Sequence, residues 1–179
     1  MITIRAARAA DLPTIMAIER SGFGQEAWSE PSWQAELTGT GRDVLVAIWD
    51  HQAVDDQAAE PVGVITIQTV DSSADLNRLV VDGGHRRQGI GTRLIGLGVA
   101  VARARGARTM MLEVAADNDP AIMTYQRFGF EQLGSRPDYY SPGRHALIMK
   151  LYDLTRPWPS SVDWSPDAAD HRSDGADHD

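Results

Sequence analysis

The stretch of sequence that decides the fold is "VVDGGHRRQGIGTRLIGLGVAVARARG", which runs from Val80 to Gly106. An extended apolar run ends in a turn that contains four glycines, and the chain then continues with the spacing of a long helix. Glycine weakens helices and strands, so four glycines in one short turn indicate a backbone that must come very close to another group. The turn and the start of the helix are therefore the first place to look for a binding site.

The start of this helix is suited to binding an anion. The amide N–H groups in the first turn of a helix have no partner within it, and the helix dipole adds positive potential at the same end. Arg86 and Arg87 bring further positive charge to this turn. We therefore predict that the turn binds the pyrophosphate of a nucleotide-containing cofactor. The alternative is a flexible loop that leads into an ordinary amphipathic helix.

The turn matches neither of two common phosphate-binding motifs. A dinucleotide fingerprint needs G-x-G-x-x-G after the strand, and a P-loop needs G-K-[ST]. The pattern present here is [R/Q]-x-x-G-x-G, formed by Arg86, Gly89 and Gly91. The short motif gains weight from its context, because a strand precedes it and a long helix follows.

Composition excludes several classes of protein. The 179 residues correspond to one domain, 42% of them are hydrophobic, and no apolar run is long enough to span a membrane. The first residues lack the apolar region of a signal peptide, so we expect a cytoplasmic protein without a membrane partner. The absence of cysteine excludes disulfides and a cysteine nucleophile. The scattered histidines lack metal-ligand spacing, so we expect no metal.

The net charge of −8 is unevenly distributed. Residues 155–179 hold six aspartates against two arginines, which accounts for half of this charge. Neither part of the chain is basic, so we expect no direct binding of nucleic acid. We predict one domain over residues 1–154, followed over residues 155–179 by an acidic tail rich in proline, serine and aspartate that is mostly disordered.

Hydrophobic periodicity predicts the element order β-α-α-β-β-β-α-β-α-β-β. This order favours an α/β (α+β) domain with a mixed sheet and helices on both faces. Asp11 is the expected cap of the first helix and Ser29 that of the second. The third helix is predicted over about residues 88–105, and the strand "EQLGSRP" is predicted to end at Pro137.

Five stretches taken together resemble a known family, the GNAT N-acetyltransferases, which use acetyl-CoA. The stretches are "DLPTIMAIE", "AWSEPSWQAEL", "RRQGIGTRL", "LEVAADNDPAIMTYQRFGF" and "YYSPGRHALIMKL". Within that family they resemble the bacterial ribosomal-protein alanine N-acetyltransferases. The resemblance covers most of residues 2–152 and implies the GNAT fold, a mostly antiparallel mixed sheet of about seven strands.

The resemblance implies a set of residues that bind acetyl-CoA. The backbone of Leu79, Val80 and Val81 matches the strand that pairs with the pantetheine arm. Asn118 matches a residue that hydrogen-bonds the cofactor, although "DNDPA" is equally typical of a helix N-cap. The pyrophosphate loop is matched by Arg86, Arg87, Gln88, Gly89, Ile90, Gly91 and Thr92.

The resemblance also implies two catalytic residues. Glu113 matches the proposed general base and Tyr125 the general acid. Glu113 stands in the otherwise apolar strand "TMMLEVAA", where a charge is costly unless it is paired or useful. Its alternative roles are a surface acid and an ion-pair partner. Tyr125 follows helical spacing with Ile122 and Phe128, so its alternative is a core tyrosine.

The acceptor side is expected to involve two further segments. Tyr139 and Tyr140 match residues that line the substrate groove, although they could instead be turn residues. Trp28 and Ser29 lie in the first helical region, which shapes the acceptor side in this family. A buried tryptophan that packs against the helix start is the alternative for Trp28.

Three functions follow, in decreasing order of support. The first is transfer of an acetyl group from acetyl-CoA to the N-terminal α-amine of a protein, with a ribosomal protein bearing N-terminal alanine as the acceptor and partner. The second is acetylation of a small amine such as a polyamine, an antibiotic or an amino acid. The third is a non-catalytic CoA-binding protein, which the presence of both Glu113 and Tyr125 disfavours.

Overall fold

The computed structural model describes residues 1–49 and 60–155. Apart from Thr155, the predicted tail lies outside the described residues. The strands are β1 (Ile2–Ala6), β2 (Arg42–Trp49), β3 (Pro61–Val70), β4 (Ser73–Val81), β5 (Thr109–Ala115), β6 (Glu131–Ser141) and β7 (Arg144–Leu151). The helices are α1 (Leu12–Phe23), α2 (Glu30–Thr38), α3 (Ile90–Ala104) and α4 (Asp119–Arg127).

The strands form one mixed sheet with the order β1-β2-β3-β4-β5-β7-β6. Strands β4 and β5 are parallel, and every other neighbouring pair is antiparallel. Helix α3 makes the crossover between the two parallel strands, as a parallel connection requires. The predicted element order and the predicted seven-stranded, mostly antiparallel sheet are confirmed.

Helices cover both faces of the sheet, as predicted. Alternate residues of β2 point to opposite faces, so Leu45 packs on the side of α3 while Val44 and Val46 pack on the side of α1 and α2. Helix α3 lies very close to β3. A Cβ atom at Gly98 would stand 2.4 Å from the end of the buried Ile67 side chain.

One of the two predicted helix caps is correct. The Ser29 hydroxyl accepts from the amide of Ser32 at the start of α2. The cap predicted for Asp11 is wrong, because its side chain makes no capping bond to α1. Its carboxylate instead accepts from the amide of Arg8 at 2.6 Å and from the Arg5 guanidinium at 2.7 Å, and so closes a short 3₁₀ turn before the helix.

Two predicted boundaries need correction. Helix α3 begins at Ile90 rather than near Gln88, because Arg87 (φ 60°) and Gly89 (φ 78°) both adopt left-handed backbone conformations that a helix cannot contain. Strand β6 does not end at Pro137 but continues to Ser141. The two tyrosines of "YY" therefore belong to a strand and are not turn residues.

Candidate active site

The conformation of the glycine turn is fixed by hydrogen bonds of three side chains, those of Asp82, His85 and Arg86. The Asp82 carboxylate accepts from the amide of Gly84 at 3.0 Å and lies 2.9 Å from the Nδ1 atom of His85. The hydrogen bond with His85, followed by the one from Gly84, lowers the pKa of Asp82. The Arg86 Nε atom donates to the carbonyl of Val81 at 3.1 Å. The turn is thus fixed against the end of β4, while residues 86–89 remain exposed.

The start of α3 leaves space beside unpaired amides. Gly89, in the left-handed region, is the N-cap residue, and the first bond of the helix runs from the amide of Arg93 to the carbonyl of Gly89. A Cβ atom at Gly91 would contact only Val81, at 3.9 Å. The protein's own packing therefore does not require glycine at position 91. The open space and the free amides fit an anionic group at this helix end.

Strands β4 and β5 separate halfway along their length. Their parallel pairing runs from Ser73 with Thr109 to Leu76 with Leu112, and no later pair is found in the described part of the chain. Beyond that point β4 pairs with β3, and β5 pairs with β7. One backbone edge of residues 79–81 thereby lacks a strand partner, and apart from the Val81 carbonyl, which accepts from Arg86, it can pair with another extended chain.

A cavity of about 650 Å³ lies at this separation. Leu79 contributes to its lining at the strand edge, and so do Asn118 and Ala121 from the start of α4. Among its charged residues are four carboxylates and four arginines, namely Glu26, Glu36, Asp75 and Glu113 with Arg42, Arg78, Arg136 and Arg144. Its aromatic residues are Phe23, Trp28, Tyr125, Tyr139 and Tyr140.

Glu113 lies in this cavity with two partners. Its Oε1 atom is 3.1 Å from the Nε atom of Arg136, and its side chain is 27% exposed. The Tyr139 hydroxyl donates to the same carboxylate, and this bond, followed by burial, raises the pKa of Tyr139. Both sequence interpretations of Glu113 are therefore compatible with its place, since it is an ion-pair partner and also faces the cavity. Its role as a base stays a prediction.

Tyr125 is a core residue that also reaches the cavity. Its side chain is only 6% exposed, and its ring makes an edge contact with Phe130 at 5.7 Å between centroids. Burial, and then the neighbouring Tyr140, raise the pKa of Tyr125 far above its ordinary value. A phenol in this environment stays protonated, which is the state that an acid needs.

Tyr139 and Tyr140 reach the cavity because β6 bulges. The register between β6 and β7 shifts between Arg136 and Ser141, so the residues between them leave the ladder. The two tyrosine rings contact each other edge to face at 5.0 Å. The Arg144 guanidinium lies 5.1 Å from the Tyr140 ring. The pair forms one wall of the cavity.

A second wall of the cavity comes from the segment between α1 and α2. Trp28 lines the cavity, its ring packs 5.4 Å from Trp33, and its amide donates to Glu19 at 2.9 Å. Both predicted roles for Trp28, wall residue and packing residue, agree with this place. Ser29 caps α2 and is not among the residues that line the cavity. Its contact with an acceptor stays a prediction.

Asn118 both caps a helix and lines the cavity. Its side-chain oxygen accepts from the amide of Ala121 at 3.3 Å, so Asn118 is the residue of "DNDPA" that caps α4. The residue also lines the cavity on the side where β4 and β5 separate. Its contact with the cofactor stays a prediction.

Several charged residues of the cavity were missed by the sequence analysis. Arg78 carried a signal, because it is a charge in the apolar strand "ADLNRLVVD". Asp75, a second charge in this strand, carried the same signal, whereas Arg136 and Arg144 carried none, because only the pairing of β7 with β5 and β6 brings them to the cavity. Burial, and then the charge of Glu113, raise the pKa of Asp75.

The described residues contain neither a membrane-spanning helix nor a metal-binding cluster. No helix in residues 1–49 and 60–155 is long and apolar enough to cross a membrane. The same residues contain no group of three or more histidines, aspartates or glutamates that could hold a metal ion.

Comparison with known proteins identifies the family. The sequence model of the acetyltransferase (GNAT) family matches residues 12–130. The ribosomal protein bS18-alanine N-acetyltransferase of Escherichia coli K12 is 30% identical over 163 residues, which cover 84% of this chain and 97% of that protein. The crystal structure of the Escherichia coli ribosomal-protein-S18-alanine N-acetyltransferase matches with a TM-score of 0.76 and 26% identity, over 92% of this chain and 100% of that chain.

A third match agrees with the fold alone. The structure of Arabidopsis thaliana NAA60 in complex with acetyl-CoA matches with a TM-score of 0.75 and 20% identity, over 85% of this chain and 98% of that one. The family model covers more than half of the chain, and the bacterial relative is matched over nearly its whole length. The chain therefore belongs to the GNAT acetyltransferase family and is an N-acetyltransferase.

Proposed function

We propose that this enzyme transfers the acetyl group of acetyl-CoA to the N-terminal α-amine of a protein, and that the acceptor is a ribosomal protein with N-terminal alanine. The observation that carries the proposal is the separation of β4 from β5 above a cavity that contains Glu113 and Tyr125. The bacterial relatives named for this reaction support the choice of acceptor.

The donor side of the site suits acetyl-CoA. The free backbone edge of residues 79–81 would pair with the pantetheine arm, and Asn118 lies at the same opening. The turn over residues 86–92 would hold the pyrophosphate through the amides at the start of α3 and the two exposed arginines. Bound acetyl-CoA supplies a thioester, whose acetyl carbonyl is the group that the amine attacks.

The acceptor amine must be neutral to react. An α-amine has a pKa of about 7.7–8.0, so a good fraction is already neutral at cellular pH, whereas a lysine side chain, at about 10.4, is almost fully charged. Glu113 takes the remaining proton, either directly or through a water molecule. Its contacts with Arg136 and Tyr139 hold the carboxylate in place at the floor of the cavity.

Tyr125 and the β4 backbone complete the chemistry. Tyr125 would donate its phenol proton to the sulfur as the thiolate departs. Burial keeps Tyr125 protonated at the pH where the amine is reactive. A backbone N–H near Val81, on the edge of β4 that lacks a strand partner, would donate to the carbonyl oxygen as negative charge develops on it.

The equal numbers of carboxylates and arginines in the cavity disfavour the second candidate substrate, a small polyamine. A polyamine site needs an excess of negative charge, but the four carboxylates of the cavity face four arginines. Three of those carboxylates are paired with arginines, as Glu26 with Arg144, Glu36 with Arg42, and Glu113 with Arg136. A peptide, which brings one α-amine and a polar backbone, fits this cavity better than a polycation.

A peptide panel with labelled acetyl-CoA tests the proposal. The panel carries Ala, Ser, Met and Gly N-termini, together with a peptide that has a blocked N-terminus and one internal lysine, and spermidine. We expect label on free N-termini only, with alanine preferred. Label on spermidine alone would move the function to the small-amine candidate, and label on the internal lysine alone would contradict the α-amine assignment.

A further inference from the structure

A bulge in β4 decides where Arg78 points. Thr66 of β3 pairs with Arg78, but the next residue, Ile67, pairs with Leu76, so Asn77 is an extra residue in β4. Ala74 and Leu76 face the core on the α3 side. In a regular strand Arg78 would face the same way. The extra residue sends its side chain to the opposite face, as bulges near active sites often do.

On that face the Arg78 guanidinium binds two groups from the α1 side. Its Nε and Nη2 atoms donate to the Oε1 atom of Glu19 at 2.9 and 2.6 Å. Its Nη2 atom also donates to the backbone carbonyl of Glu26 at 2.7 Å. Glu19 is fully buried, and the Arg78 side chain is 11% exposed. The pair is thus a buried ion pair with a further bond to the segment between α1 and α2.

The same guanidinium is enclosed by the ends of this segment, Phe23–Trp28, which we call the acceptor wall. Its carbon atom lies 3.4 Å from the Phe23 ring centroid and 5.0 Å from that of Trp28. The amide of Trp28 donates to the same Glu19 oxygen that Arg78 binds. One arginine therefore holds the acceptor wall at its beginning, its middle and its end.

The acceptor wall is also connected to β7 through a side chain. The Glu26 side chain forms an ion pair with Arg144 of β7. Arg144 also lies 3.2 Å from Asp117 and packs on Tyr140. Glu26 is thus held at two points. Its backbone carbonyl accepts from Arg78, and its side chain pairs with Arg144, which contacts Tyr140.

We propose that Arg78 is a positioning residue that sets the affinity for the acceptor by holding the acceptor wall opposite Tyr139 and Tyr140. The inference rests on the proposed function, which makes this half of the cavity the acceptor side. We assign Arg78 a positioning role rather than a catalytic one, because its Nε and Nη2 atoms are bound by Glu19 and by the carbonyl of Glu26.

The test compares three variants with the wild-type chain. Arg78→Lys keeps the charge but cannot make the forked contact with Glu19 and Glu26. Arg78→Met alone would leave a buried carboxylate without a partner and could prevent folding. The second variant is therefore the double substitution Glu19→Gln with Arg78→Met, which removes both charges. The control is Arg105→Met, which breaks an ion pair with Asp43 at the far end of α3.

Each variant is measured for kcat, for KM of the peptide and KM of acetyl-CoA, and for deuterium exchange of the amides of residues 24–28. For Arg78→Lys and for the double variant we expect the peptide KM to rise by roughly tenfold or more, as for the loss of one ordinary interaction. We expect kcat and the acetyl-CoA KM to stay within about twofold, because only acceptor binding is lost. Exchange over residues 24–28 should accelerate in both variants, and the control should match the wild type in every readout.

Two results would overturn the inference. One is a double variant with unchanged peptide KM, which would make the ion pair a matter of stability alone. The other is unchanged exchange over residues 24–28, a readout that does not depend on which amine is acetylated. If the wild type acetylates spermidine and no peptide, the proposed function fails, and the inference is decided by the exchange rates and the spermidine KM.

Discussion

At the scale of single residues, Glu113 is the group on which the proposed chemistry depends most. It is a cavity carboxylate that directly follows Leu112, the residue at which the pairing of β5 with β4 ends. For Glu113→Gln we expect kcat with an alanine peptide to fall by roughly 10²–10⁴, the usual worth of a general base, while the acetyl-CoA KM stays unchanged. Steady-state kinetics at pH 7 measure both quantities.

The pH dependence of this loss distinguishes a base from an ion-pair partner. Without the base, the reaction uses only the amine that solvent has already deprotonated, and that fraction rises as the pH passes about 7.7–8.0. The deficit of Glu113→Gln should therefore shrink between pH 7 and pH 9. Glu131→Gln, the same change on the exposed edge strand β6, is the control. A deficit that stays constant with pH would argue for a structural role of Glu113.

Tyr125 allows a second test at this scale. Tyr125→Phe keeps the ring against Phe130 but removes the proton donor, so kcat should fall by about 10²-fold or more with little change in either KM. Because burial raises the pKa of Tyr125, the wild type should also keep its activity up to about pH 10, where an ordinary tyrosine begins to lose its proton. Activity equal to wild type in the phenylalanine variant would remove Tyr125 from the mechanism.

At the scale of elements, helix α3 carries two glycines that do different work. Gly98 faces β3, where any side chain would meet Ile67 and Ile65. Gly91 faces open space at the helix start, where an added methyl group would meet only Val81 at an ordinary contact distance. Packing explains the first glycine, and the proposed phosphate site explains the second.

Substitution separates the two roles. Gly91→Ala should leave the free energy of unfolding unchanged or raise it by up to about 1 kcal/mol, because alanine favours a helix. Its acetyl-CoA KM should nevertheless rise by roughly tenfold or more, the loss of about 1.4 kcal/mol of binding. Gly98→Val should show the reverse pattern, with stability lowered by about 1–3 kcal/mol through overpacking and an acetyl-CoA KM near that of the wild type.

Thermal unfolding and steady-state kinetics on the two variants check this pattern. A Gly91→Ala enzyme with normal acetyl-CoA KM would mean that no ligand group approaches this residue. The anion site would then have to be sought elsewhere.

The elements also show what can be predicted from sequence. Hydrophobic periodicity was sufficient for the order of strands and helices, and the local cap at Ser29 followed from residue types within one turn. The boundary of α3 was missed because Arg87 adopts a left-handed conformation that is rare for arginine. The residue type at position 87 does not predict a left-handed backbone conformation.

The cavity was only half predictable for a related reason. Glu113, Tyr125 and the tyrosine pair lie in motifs that the family resemblance covers. The ion pair of Glu26 with Arg144 joins residues 118 positions apart, and that of Glu113 with Arg136 depends on the β6 register. The register of β6 shifts between Gln132 and Gly134, ahead of Arg136, and hydrophobic periodicity does not reveal such a shift.

At the scale of the whole molecule, the sheet is divided between two tasks. The half from β1 to β4 packs against α1 and α2 and carries the acceptor wall, while β5 to β7 carry Glu113 and the tyrosine wall. The proposed donor site lies at the end of β4 and the start of α3. We therefore expect both halves of the sheet to be needed to bring the two substrates together. A C-terminal truncation would affect the site if it disturbed β7, because β7 pairs with both β5 and β6.

The end of the domain gives the corresponding prediction. Leu154 is fully buried, its amide donates to the carbonyl of Arg108 at 3.1 Å, and the following Thr155 is exposed. A chain that ends at Thr155 should therefore keep the melting temperature and the peptide KM of the full chain. A chain that ends at Asp153 loses one buried leucine, worth about 2–5 kcal/mol. It should melt roughly 4–20 °C lower, since each kcal/mol moves the melting temperature of a domain of this size by about 2–4 °C. Calorimetry and the peptide assay on the two truncated chains measure these effects.

The chain that ends at Thr155 also tests the role of residues 156–179 and their six aspartates. Normal melting of that chain with weakened binding of basic peptides would assign these residues an electrostatic part in acceptor binding.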